Sequence, residues 1–229
     1  GGALVSFATL HNPDEISRKD LRINDYVIVR RAGDVIPEVV TSIPERRSGS
    51  EIEWSLDKRC PCGDFDIVYV KDEKVPRCSG SYDCKISKKE MLIYFASKSG
   101  LDIEGLGRET VETLIANKLV KNFEDFYSLT YEELISLPQW KEKKTKNLLE
   151  AIEKSKNSEQ EKLLPALGIR YVGKQTSKLL VNTFGSIKNI FDASSDEINK
   201  IHGISESVSN SLIEWYSDCL LYTSPSPRD

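Results

Sequence analysis

Leu101-Asp102-Ile103-Glu104-Gly105-Leu106-Gly107 and Ala166-Leu167-Gly168-Ile169-Arg170-Tyr171-Val172-Gly173 are two spellings of one unit. Centred on Leu106, Trp140, Val172 and Ile204, the unit recurs at intervals of 34, 32 and 32 residues. Three residues before each centre stands Ile103, Leu137, Ile169 or Ile201. Eight residues after it stands Leu114, Leu148, Leu180 or Leu212, followed at once by Ile115, Leu149, Val181 or Ile213. Agreement at four positions in four copies marks an internal repeat. A further offset of 64 residues aligns Glu133-Leu134-Ile135-Ser136-Leu137 with Glu197-Ile198-Asn199-Lys200-Ile201, so the larger unit is a pair of motifs present twice. The apolar spacing is helical from about Lys88 to Tyr216, and each copy reads helix, tight turn, helix.

The turns are Glu104-Gly105-Leu106-Gly107, Gln139-Trp140-Lys141, Tyr171-Val172-Gly173 and Gly203-Ile204-Ser205. Glycine lets the backbone take positive φ and approach a ligand closely. The helix that follows directs its free first-turn amides, and the positive end of its dipole, at whatever lies in front. Such a turn suits a DNA phosphate, and the pattern is the helix-hairpin-helix motif. Binding through it is largely independent of base sequence. The residues expected to contact DNA are Gly105, Leu106, Gly107 and Arg108, then Val172, Gly173 and Lys174, then Gly203, Ile204 and Ser205. The second copy has no glycine, so a structural part is expected there, with Trp140 packing and Lys141 or Lys143 offering only charge. A plain helical scaffold of the tetratricopeptide kind has a similar period, but such repeats do not place Gly-x-Gly at the inter-helix turn.

Upstream, from Leu4 to about Trp54, the periodicity is that of strands. Tyr26-Val27-Ile28-Val29-Arg30-Arg31 is a β-branched run, Ala32-Gly33-Asp34 supplies turn chemistry, and Val35 to Ile43 reads as a second strand whose Pro37 suits an edge or a bulge. Asn12-Pro13-Asp14-Glu15 reads as a loop opening a short helical turn. The strands are too few to close a barrel unaided. Arg18, Lys19, Arg22, Arg30 and Arg31 form a basic strip that reads either as a solvated face or as phosphate contacts.

Between these regions lie Cys60-Pro61-Cys62-Gly63 and Cys78-Ser79-Gly80-Ser81-Tyr82-Asp83-Cys84, separated by the short alternation Phe65 to Val70. Two cysteine pairs with a hairpin-length spacer fit a closed tetrahedral site for structural Zn2+, with no position left for catalysis. Unrelated thiols or a redox pair are the alternatives, and no thioredoxin-like strand–helix context surrounds them. The segment has too little apolar mass for its own core, so metal would supply much of its folding energy.

Composition sets wider bounds. The 229 residues are 39% hydrophobic and 30% charged, ordinary for a globular chain and too apolar for wholesale disorder. No apolar run approaches a membrane span and no signal peptide is visible, so a reducing cytoplasm and no membrane partner are expected. The net charge of −4 argues mildly against nucleic acid, although main-chain amides bind phosphate without formal charge.

Val5-Ser6-Phe7-Ala8-Thr9-Leu10-His11-Asn12, Asp14-Glu15-Ile16 and Arg30-Arg31-Ala32-Gly33-Asp34-Val35-Ile36-Pro37, followed by the cysteines and hairpins in order, closely resemble the bacterial NAD-dependent DNA ligases. The resemblance covers roughly residues 3–216. It implies a multidomain α+β chain: a partial OB-type β-barrel over 1–57, a small four-cysteine zinc finger over 58–87 and an all-α tandem helix-hairpin-helix domain over 88–216. Residues 217–229 fit no repeat position, and their Ser224-Pro225-Ser226-Pro227 run reads as a disordered, non-native tail. Cys60, Cys62, Cys78 and Cys84 match the family's zinc ligands one by one. One spacing departs, since the family has two residues where only Pro61 separates Cys60 from Cys62. The family's lysine, in Lys-x-Asp-Gly, takes AMP from NAD and passes it to the 5′-phosphate at a nick, where the 3′-hydroxyl displaces it. No Lys-x-Asp-Gly occurs in the 229 residues. The resemblance thus implies a monomeric, nucleoid-associated part that grips nicked duplex DNA, with NAD and Mg2+ bound by an adenylation domain elsewhere. A non-catalytic repair-protein module built on the same hairpins is the other reading. His11 and His202 are isolated in sequence and read as structural or surface residues.

Overall fold

Asn12 opens the first helix: its Oδ1 accepts a hydrogen bond from the Glu15 amide at 2.9 Å, and Pro13 brings a pre-set φ to the first helical position. Helix α1 (Pro13–Arg18) therefore starts where the sequence places a helical turn. The computed structural model describes residues 4–32, 36–70 and 74–223. The chain divides into two units, residues 1–87 and 88–229.

In the first unit, strands β1 (Arg22–Ile23), β2 (Val27–Ala32), β3 (Ile36–Ser42) and β4 (Ile52–Glu53) pair antiparallel, β2 with β3 and β1 with β4. The β2–β3 register slips between Ile28 and Val29, the mark of a bulge. Thr9 bridges β3 in parallel: its amide donates to the Pro37 carbonyl at 2.8 Å and its carbonyl accepts from the Val39 amide at 3.2 Å. The Pro37 carbonyl faces Thr9, so its nitrogen faces that way too, and the ladder to β2 loses no donor. Gly33 and Asp34, the expected turn residues, lie outside the described residues. Among the described residues the strands form separate pairs and not a closed barrel. Leu21 and Val39 are buried, while Leu4, Phe7, Tyr26, Ile28 and Ile52 are exposed. Ion pairing supplements this small core. Arg47 grips the Asp25 carboxylate with two nitrogens at 2.7 and 2.8 Å and reaches Asp20 at 2.7 Å. That tie fastens the segment after β3 to the β1–β2 turn.

The same unit ends in a two-stranded hairpin, β5 (Ile67–Val68) with β6 (Arg77–Cys78). Phe65 and Ile67 pack on the cysteine sulfurs and replace an apolar core. Gly80 is needed here, because a Cβ at that position would lie 2.2 Å from the Phe65 ring.

Helix α2 (Lys85–Ala96) leads into the second unit, built of α3 (Arg108–Ala116), α4 (Tyr131–Ile135), α5 (Glu142–Ser155), α6 (Gln160–Ala166), α7 (Lys174–Phe184), α8 (Ile187–Asp192), α9 (Ser195–Asn199) and α10 (Glu206–Thr223). Helix α4 packs on α5, α6 on α7, α7 on α8 and α9 on α10. The 64-residue repeat is visible at the level of caps. Thr130 and Ser194 each accept from the amide three residues on, and Glu133 and Glu197 each bond back to the cap amide, two identical capping boxes. Leu114, Leu148, Leu180 and Leu212, the repeat leucines, are all at most 2% exposed. Truncating one such leucine to alanine costs about 2–5 kcal/mol. Aromatic rings add to the packing: Phe95 lies tilted against Phe123 at 4.8 Å, and Phe191 stacks on Tyr216 at 4.8 Å.

One expectation is corrected. Helix α10 continues through Thr223, where an irregular tail is expected from residue 217. No glycine or proline stands between Ser217 and Thr223 to stop the i→i−4 ladder. The Ser-Pro-Ser-Pro run itself begins at Ser224, outside the described residues.

Candidate nucleic-acid interface and metal centre

Each of the four hairpins turns by the same two devices. The residue before the repeat centre takes left-handed φ: Gly105 at 84°, Gln139 at 67°, Tyr171 at 61° and Gly203 at 91°. The centre's amide then donates to the carbonyl three residues back, Leu106 to Ile103, Trp140 to Leu137, Val172 to Ile169 and Ile204 to Ile201, at 3.1 to 3.2 Å. The next residue is extended and caps the second helix: Gly107, Lys141 and Gly173 begin α3, α5 and α7 without a side-chain hydrogen bond to the first turn. Helices α4, α8 and α9, which follow no hairpin turn, are capped by Thr130, Ser186 and Ser194. Helix α6 has no such cap either.

Glycine does two different jobs in these turns. At Gly105 and Gly203 it meets a positive φ. At Gly107 and Gly173 φ is ordinary, and a Cβ would meet nothing within 4 Å. Nothing inside the fold requires glycine there, which leaves close approach from outside as its use. Leu106 and Val172 are 1% and 5% exposed, so their side chains are pegs and only their main chain faces a ligand. Ile204 is half-buried, and Lys174, Gly203 and Ser205 are exposed. Arg108 is exposed but forms a two-pronged pair with Glu90 at 2.8 and 2.7 Å, a surface pair weak enough to exchange for another anion.

Sequence reasoning missed the fifth position after each centre. Val111, Thr145, Ser177 and Ser209 are all fully buried. The Ser177 hydroxyl donates to the Glu161 carbonyl at 2.7 Å and the Ser209 hydroxyl to Asn199 Oδ1 at 2.7 Å, so small residues let the paired helices close up and lock. The signal was present as an unbroken run of small or β-branched residues.

The basic strip of the first unit is largely neutralised. Arg18 holds Glu15 at 2.7 Å, Lys19 donates to the Val39 carbonyl at 2.7 Å, Arg22 lies 3.4 Å from Asp20, and Arg30 binds Glu38. Arg31 is exposed and keeps no acidic partner among the described residues. His11, expected to be isolated, instead contacts Glu38 at 3.1 Å, so the buried carboxylate is shared by two side chains and held below the usual range, first by Arg30 and then by His11. His202 is exposed.

Cys60, Cys62, Cys78 and Cys84 converge, their sulfurs all within 4.8 Å of one another. Three are buried and Cys78 is partly so. The short Cys60-Pro61-Cys62 spacing is accommodated by a tight turn in which the Gly63 amide donates to the Cys60 carbonyl at 2.9 Å. Burial raises the Cys84 thiol, yet the Ser87 amide and hydroxyl, Cys78 and the Ile86 amide outweigh it and hold it at about 6. The Cys62 amide favours a thiolate at Cys60, but burial and the neighbouring sulfurs push that thiol up to about 12. A thiol raised like that of Cys60 gives up its proton when it binds a metal. A tetrahedral ion about 2.3 Å from each sulfur needs sulfurs about 3.8 Å apart, a contraction of about 1 Å at most. The four residues fit a soft, closed metal site.

No helix among the described residues is long and apolar enough to cross a membrane. Residues 1–51 match the NAD-dependent DNA ligase OB-fold domain, and residues 162–220 match the helix-hairpin-helix motif. The chain is 40% identical over 216 residues to a DNA ligase of Anoxybacillus flavithermus, and 40% identical over 220 residues to a DNA ligase of Francisella tularensis subsp. tularensis. These matches cover 94% and 96% of this chain but 32% of each relative, so the chain spans about a third of the length of the curated relatives it matches. Nearly all of the chain is therefore similar to about a third of these DNA ligases, with a match to the NAD-dependent DNA ligase OB-fold domain at its start and to the helix-hairpin-helix motif toward its end.

Proposed function

We propose that the chain is the part of an NAD-dependent DNA ligase that grips nicked duplex DNA, as a monomer, in the bacterial cytoplasm on the nucleoid. The observation that carries the reading is the repeated turn: a left-handed step in all four copies and, in the first three, an extended cap and a helix start whose amides no capping side chain of Gly107, Lys141 or Gly173 satisfies. Phosphate oxygens supply that missing cap, and the helix dipole favours their charge. In this reading residues 1–57 are the OB portion, 58–87 a zinc finger held by Cys60, Cys62, Cys78 and Cys84, and 88–216 the hairpin domain. Structural Zn2+ would fix the β5–β6 hairpin. Contacts come from Gly105 to Arg108, Val172 to Lys174 and Gly203 to Ser205, from Arg31 directly, and from Arg18, Arg22 and Arg30 once their acidic partners are exchanged for phosphate. NAD and Mg2+ are bound elsewhere in the whole enzyme, whose Lys-x-Asp-Gly is absent from these 229 residues.

The test is fluorescence anisotropy with nicked and intact duplex, together with a sealing assay containing NAD and Mg2+. Duplex affinity is expected to fall on the order of 1,000-fold between about 50 and about 200 mM salt, with nicks left unsealed. Sealing by this chain alone, or binding indifferent to salt, would overturn the reading.

A further inference from the structure

Cys84 alone among the four clustered cysteines stands directly before an α-helix. Helix α2 begins at Lys85, so the Cys84 sulfur faces a first turn whose amides have no partner inside the helix. The Ile86 and Ser87 amides both donate to that sulfur, and so does the Ser87 hydroxyl. Cys60 and Cys78 receive main-chain donations too, from the Cys62 and Gly80 amides. What Cys84 has in addition is a side-chain donor. Cys84 is 1% exposed and Ser87 is half-buried, so water competes little for this hydrogen bond. The Cys60 sulfur lies 3.9 Å from that of Cys84, which puts the hydroxyl's acceptor inside the cluster and not at its edge.

Four thiolates around a doubly charged cation leave an excess of negative charge on the sulfurs. Hydrogen-bond donors and the positive end of a helix dipole, aimed at one of them, offset that excess. Resting on the closed metal site described above, we propose that Ser87 is a positioning residue of that site. Its hydroxyl and amide hold the Cys84 sulfur in ligating position, and the same bonds cap α2. Metal affinity and the first turn of α2 are thereby stabilised together.

The experiment titrates the full chain with Zn2+ against a chromophoric chelator, and separately with Co2+, whose sulfur-to-metal charge-transfer band reports electron density on the ligating sulfurs. Ser87→Ala is expected to bind Zn2+ about 10- to 100-fold more weakly, with the Co2+ band at longer wavelength because a sulfur has lost a donor. Ser87→Thr, which keeps the hydroxyl, should restore both. Alanine favours a helix more than serine does, so an effect through helix propensity alone would run the other way. The control is Ser97→Ala, just past the far end of α2, where the hydroxyl bonds the Tyr94 carbonyl at 2.7 Å. It should keep parental affinity and band. Parental affinity in Ser87→Ala, or a weakened site with an unmoved band, overturns the positioning role while the metal site stands. A parent chain that takes up neither ion overturns both.

Discussion

Gly105 and Gly107 are two residues apart and differ in what a methyl group would do to them. At Gly105, with φ at 84° and the Leu148 Cδ1 at 3.6 Å from a built Cβ, alanine meets a strained backbone and costs about 1–2 kcal/mol. At Gly107 and Gly173 alanine fits open space, so stability should stay within about 0.5 kcal/mol of the parent or rise slightly. The extra methyl still stands between the cap and a phosphate. Gly107→Ala/Gly173→Ala is therefore expected to bind duplex several-fold less tightly at unchanged urea midpoint, and parental affinity would show that no phosphate comes close there. A second residue-scale consequence concerns acid. The Arg47 guanidinium holds Asp25 down to about 2, against an unfolded carboxyl near 3.9. A depressed carboxyl contributes stability that is fully present above the unfolded value and lost as pH falls through the folded one. The first unit should therefore weaken between about pH 4 and pH 2, and Asp25→Asn should flatten that part of the thermal-melting profile.

At the scale of elements, the cysteine hairpin depends most on something besides its own side chains. Removing metal by chelation should leave the β5–β6 pair without its cross-link, exposing thiols to a colorimetric reagent at about four per chain from this cluster. Cys62→Ser should weaken metal binding by at least the 10- to 100-fold loss that follows disturbance of outer hydrogen-bond partners. Equal affinity would remove Cys62 from the ligand set. This quartet was legible in the sequence because ligand spacing is local, and the hairpins were legible because repetition multiplies a weak signal. What stayed hidden depends on side chains meeting across the fold. Arg30 reads as a free cation until the β2–β3 register sets it against Glu38, eight residues on. Tyr171 and Gln139 give no hint of left-handed backbone, since local preference disfavours it and only the surrounding helices impose it. A groove lined by the first two hairpin turns joins residues from Ala96 to Lys162, a span no periodicity describes.

Across the whole molecule, a net charge of −4 is a poor guide to what the surface attracts. Among the described residues many acids and bases are paired with one another, as with Arg18 and Glu15, Lys188 and Asp192, or Lys146 and Glu142. The balance that matters is local, and lysines gather beside the first two hairpin turns. Salt dependence should accordingly reflect those few cations and the bare amides beside them, far more than the total.

The left-handed step before each repeat centre has a further consequence for how such a chain diversifies. Duplication here has preserved the handedness of a single peptide unit while glycine, glutamine and tyrosine take turns occupying it. Each grip is then free to change its chemistry, toward bare amides in one copy or toward ammonium groups in another, without disturbing the scaffold that aims it. A four-fingered hand built this way adapts one fingertip at a time.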